Sequence, residues 1–236
     1  MPKQFKLKKF FSKNINYFYL CSNPNAINFL NKNKFTNNKI NNLFISENKN
    51  AINFLNTNKQ YICWYSLSLN INAIKLLEKN QDKINWPYLS GNKNAIELLK
   101  ANPDKIDWVF LSHNTNAINI LEQNQDKIDW YNLSGNKNTI ELLKINPNKI
   151  NWYMLSKNKK AIELLKTQQD KINWFNLSQN KNAIEILKAN PNKIDWYGLS
   201  QNKNAIKILK ANPNKIYWKH IYSNPSIFYK NRINIV

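Results

Sequence analysis

His113 and His220 are the only imidazoles in this 236-residue chain, and Cys21 and Cys63 its only thiols. A side-chain nucleophile needs a base within hydrogen-bond reach and that base needs an orienting partner. A protein metal site needs ligands at clustered spacing. The four residues stand far apart in sequence, with no second Cys or His beside any of them. The 14 acidic residues fall mainly at recurring cap and helix-surface positions, and with three glycines in all there is no Gly-rich phosphate loop. These patterns predict no catalytic residues, no cofactor and no metal, hence a non-enzymatic protein. Two unpaired thiols suit a reducing compartment. No apolar run approaches the roughly 20 residues that cross a bilayer, and no apolar signal core follows the basic start Met1–Lys9. The expectation is a soluble, intracellular monomer without a membrane partner.

What remains is binding chemistry, and two residue classes carry it. The formal net charge is +21, with 34 Lys and one Arg. Lys83, Lys105, Lys127, Lys149, Lys171, Lys193 and Lys215 recur every 22 residues, and Lys93, Lys137, Lys159, Lys181 and Lys203 make a second column. Such stripes attract phosphate strongly and in a salt-dependent way. Base reading, however, prefers Arg forks, and a modular code needs side chains that vary with the base. Lys, Asn, Ile, Tyr and Phe are also favoured by A/T-rich codons, so part of the composition reflects the genome. The second class is aromatic. Tyr65, Tyr88, Phe110, Tyr131, Tyr153, Phe175 and Tyr197 lie one or two residues after a recurring Trp position, in columns that vary in size and polarity. Core columns would not tolerate that variation, so these rings are the candidate surface for a protein partner.

The elements that position them follow from a strict period. All eight Trp are spaced by 22: Trp64, Trp86, Trp108, Trp130, Trp152, Trp174, Trp196 and Trp218. The register extends back to Asn42 and, across a three-residue insertion, to Tyr17. Units therefore begin near residues 17, 42, 64, 86, 108, 130, 152, 174, 196 and 218, in one repeat domain spanning 1–236 with a basic segment at 1–14. Ile occurs two residues before the Trp position and Asn six residues after it in all ten units. Asp or Asn directly before the Trp predicts an N-cap for a short helix A, and the Ile before the cap and the Leu after it predict a hydrophobic staple. In Asn92–Pro103 the apolar positions 95, 96, 98 and 99 form a helical stripe, which predicts a helix B capped by the Asn and ended by Asn-Pro. Glu97–Lys100, Glu141–Lys144, Glu163–Lys166 and Glu185–Lys188 are expected surface pairs. Helices this short do not stand alone in water, so units must stack. The predicted fold is all-α: an α-solenoid of about ten two-helix repeats of 22 residues, about 80–100 Å long at ordinary helix spacing, with the Trp column as the seam of its core.

A weaker period of 44 also runs through the chain, Gln81, Gln125 and Gln169 alternating with Pro103, Pro147 and Pro191. The stretches Ser22-Asn23-Pro24-Asn25-Ala26-Ile27 and Asn190-Pro191-Asn192-Lys193-Ile194-Asp195-Trp196-Tyr197 resemble the short Trp- and Asn-Pro-containing tandem repeats of giant DNA viruses of amoebae, the mimivirus-like group. The resemblance covers about nine-tenths of the chain. It implies a viral protein in the host cytoplasm, viral factory or virion, and transfers no catalytic or binding residue. The functional expectation is a scaffold for protein–protein interaction, with sequence-independent nucleic-acid binding through the Lys stripes as the alternative.

Overall fold

The Asp107 carboxylate accepts the Phe110 N–H at 3.0 Å and closes the first turn of helix A, Trp108–His113. Asn85, Asn151, Asn173 and Asp195 cap their helices in the same way, at 2.7–3.2 Å. The Leu at the staple position is fully buried in each of these repeats: Leu89, Leu111, Leu155, Leu177 and Leu199. Helix B follows as Ile118–Glu122 in this repeat, and a 3₁₀ turn, Gln125–Lys127, completes it.

The computed structural model describes residues 15–32 and 40–227. Outside them lie the basic segment 1–14, Lys39, which precedes Ile40 in the first Lys column, and the C-terminal residues Arg232–Val236, where the last repeat is expected to depart from the pattern as a cap. Within the described residues the regular elements are helical and none is a strand. The protein is an α-solenoid of about ten two-helix repeats, from Tyr17–Leu20 with Ile27–Lys32 to Trp218–Ile221 with the 3₁₀ turn Pro225–Ile227. The 3₁₀ turn between successive repeats has no sequence signal beyond Asn-Pro. In most repeats a side chain supports it: the Asn102 Nδ2 donates to Leu98 O at 3.0 Å, and Asn80, Asn146, Asn190 and Asn212 repeat the bond. This satisfies one of the carbonyls that a helix C-terminus leaves open.

Two expectations are corrected. The invariant Asn was expected to cap helix B, yet helix B begins four residues later, at Ile96 after Asn92, behind an Ala that makes no side-chain cap bond. Asn92 Oδ1 accepts the Asn94 N–H at 3.1 Å, and its Nδ2 reaches back into the preceding repeat, to Ser68 O at 2.9 Å and Asn70 O at 3.2 Å. Asn180, Asn202 and Asn224 make the same three bonds. The residue is invariant because both ends of its amide are used. Ser90 adds a second link, donating to Trp86 O at 2.9 Å and accepting the Asp107 N–H of the next repeat at 3.0 Å.

The Trp column is not the seam of the core. Seven of the eight rings are half-buried, and Trp218 is 57% exposed. Each sits at the first position of helix A, at the edge of the stack, while Leu at the fourth position and Leu99, Leu121, Leu143 and Leu187 of helix B are fully buried. A ring as large as indole fills the margin that the smaller Leu side chains, packed at the centre, leave open.

The chain divides into two compact units, Met1–Lys127 and Ile128–Val236. In the first, helix A packs on helix A through Asn42–Glu47, Trp64–Leu69, Trp86–Gly91 and Trp108–His113 in succession. In the second the same succession runs from Trp130–Gly135 to Trp218–Ile221. The backbone of helix B instead lies closest to its own 3₁₀ turn and its own helix A.

Candidate binding surfaces

Because helix A is capped by the residue before it and buries its fourth, its second residue points outward. The structure places Tyr65, Phe110, Tyr131, Tyr153, Phe175 and Tyr197 there or one position on, each between 37% and 48% exposed, with Tyr88 half-buried. In the first unit the rings form a run. Tyr65 and Tyr88 meet edge to face with centroids 4.2 Å apart, and Tyr88 meets Phe110 at 5.3 Å. The Tyr65 and Tyr88 hydroxyls share a short hydrogen bond, which pushes the Tyr65 phenol up from its ordinary value. Phe18 and Tyr19 gather against Phe44 in the same unit.

In the second unit Phe175 stacks on Tyr197 at 6.0 Å, and Tyr197 meets Tyr217 at 5.6 Å and His220 at 4.2 Å. Tyr131 and Tyr153 make no ring contact with this group. Tyr153 instead takes a hydrogen bond from Lys157 Nζ at 3.2 Å, with the ammonium 4.3 Å from its ring centre, and this holds its phenol below the ordinary value. Tyr217 escapes a reading of the sequence because it occupies the cap column, where Asp or Asn is the rule.

The basic column is exposed at all seven positions from Lys83 to Lys215. In the first unit Lys83 lies over Trp64 at 5.5 Å and Lys127 over Trp108 at 5.0 Å. In the second Lys171 lies over Trp152 at 5.2 Å and Lys215 over Trp196 at 4.8 Å. Lys105 pairs with Asp104 at 3.1 Å. The lysines on Trp faces are thus spaced by 44, and three of the four follow Gln-Asp. An ammonium over indole at an exposed site contributes about 0.5–1 kcal/mol. In the second column Lys93, Lys137, Lys159 and Lys203 are exposed and Lys181 is half-buried.

Among the described residues no three His, Cys, Asp or Glu side chains gather as metal ligands, and no helix is long and apolar enough to cross a membrane. Burial pushes the Cys21 thiol up, away from the reactive thiolate. No family profile, curated protein or solved structure matches the chain.

Proposed function

We propose that the protein is a non-enzymatic scaffold whose helix A aromatic strip anchors a protein partner. The carrying observation is that the rings stay one-third to one-half exposed after packing on one another. Monomeric surfaces rarely leave contiguous apolar patches of this kind without use, and Tyr is a preferred anchor at interfaces. With a net charge of +21, the partner surface of matching chemistry is acidic around an apolar centre.

Affinity capture from nuclease-treated extract at about 0.5 M salt tests this, since the Debye length there falls to roughly 4 Å and charge-only association is lost. A protein retained by the native chain and released by Tyr65→Ser/Tyr88→Ser/Phe110→Ser is the expected result. The competing function is sequence-independent nucleic-acid binding through the exposed Lys columns. Capture that vanishes with nuclease and salt, together with steeply salt-dependent binding of a labelled oligonucleotide, would replace the first reading with the second.

A further inference from the structure

In the second unit an open groove of about 340 Å³ runs beside the B helices Ile184–Ala189 and Ile206–Ala211, with the 3₁₀ turn Pro191–Lys193 and Trp196 completing its wall. Its apolar lining includes Leu187, Ile194, Trp196, Ile208 and Ala211. Lys188, Lys207 and Lys215 are among the residues that line it, and no Asp or Glu is. That volume falls at the small end of the range for ligand sites, which are mostly apolar with a few placed polar groups.

The sequence explains why this groove is both open and positive. Ala stands at residue 101, the C-cap of Ile96–Lys100, and at 189 and 211, the last residues of their B helices, and leaves the rim low. In the first two of those repeats the second B-helix residue is acidic, Glu97 and Glu185, and each pairs with the Lys three residues on, at 2.9 Å. In the third it is Lys207, which has no acidic partner among the described residues. Lys75 occupies the same column in the first unit, but there Lys79 stands where Ala211 does. Lys188 is already held by Glu185, and Lys215 lies over the Trp196 ring at 4.8 Å. Among these three lysines Lys207 is therefore the one with neither a carboxylate nor a ring partner among the described residues, in a groove whose lining includes an indole.

We infer that this groove binds a small amphipathic anion: an apolar, ring-sized body against Trp196 and Ile208, with one acidic group held by Lys207. Trp196 is the first residue of its helix A, but none of the rings of the helix A strip lines the groove.

The test titrates the full chain with 1-anilinonaphthalene-8-sulfonate, and with N-phenyl-1-naphthylamine, which has the same body and no sulfonate. Saturable sulfonate binding is expected, with the neutral analogue at least about tenfold weaker, the scale of one modest charge interaction. Lys207→Glu restores the residue found at 97, 141, 163 and 185 and offers Lys210 a partner, so the helix is retained, as far-UV circular dichroism would verify. It should weaken sulfonate binding about tenfold or more. Ala211→Trp, at an exposed position, should fill the groove and remove binding of both compounds. Sulfonate affinity that is unsaturable, equal to that of the neutral analogue, or unchanged in both variants would overturn the assignment.

Discussion

Asn180 donates to Ser156 O and Asn158 O at 3.1 and 3.2 Å while its Oδ1 accepts the Asn182 N–H at 3.1 Å. A carboxylate in its place would keep the local turn but face two carbonyl oxygens with nothing to donate. Asn180→Asp should therefore destabilise the second unit about as much as Asn180→Ala does, by roughly 2–4 kcal/mol, since buried polar groups are left unpaired. The urea midpoint measures it. If Asp proved as good as Asn, the residue would be a simple cap. Gly198 is a second residue-scale case. A Cβ there would lie 2.8 Å from Phe175 O and 3.2 Å from Asp195 Oδ1, and the backbone atom cannot swing aside. Gly198→Ala should cost about 1–3 kcal/mol, again read from denaturant unfolding. At Tyr153 the prediction concerns titration alone, because the ring is exposed. Lys157→Met removes the ammonium that favours the phenolate, so the phenol's midpoint should move up toward its ordinary value when followed by ultraviolet absorbance.

The repeating elements are legible in the sequence because their determinants are local. The Asp/Asn cap, the staple Leu and the B-helix stripe each act within one 22-residue unit, and the structure has every one of them. The four Glu–Lys pairs also form, at 2.8–2.9 Å. What one repeat does to the next is not legible in the same way. Asn92 looks like a cap in its own unit, and only stacking shows its Nδ2 closing on Ser68 O. The Trp column looks like core because indole is large and apolar. Its position at the first turn of a short helix instead puts it at the margin, where in alternate repeats a Lys lies across it. The candidate rings stand out by their variability, whereas their contacts, and the part played by Tyr217, depend on how neighbouring A helices lie. At this scale Leu177→Ala should cost about 2–5 kcal/mol through cavity formation, and Trp174→Leu less, since half-buried Trp174 already borders solvent. Comparing the two urea midpoints distinguishes a Leu core from a Trp core.

Over the whole molecule, 35 basic residues against 14 acidic ones leave repulsion as the main long-range electrostatic effect. The Glu–Lys pairs are exposed and contribute only tenths of a kcal/mol each. Raising salt from about 0.02 to 0.3 M should therefore raise the thermal midpoint, as repulsion is screened more than attraction. Much of the Asn bias, by contrast, is structural: one Asn column links successive repeats in each unit, and a second closes most B helices onto the 3₁₀ turn that follows. In both units the backbones of successive repeats approach most closely in the A-helix layer, which carries the aromatic strip, and we place cohesion there, while B helices lie closest to their own repeat. Hydrogen exchange followed by mass spectrometry on the full chain tests that division. Helix A amides such as those of Trp174–Gln179 should exchange more slowly than those of the adjoining Ile184–Ala189. Equal protection of the two layers, or slower exchange in helix B, would contradict it.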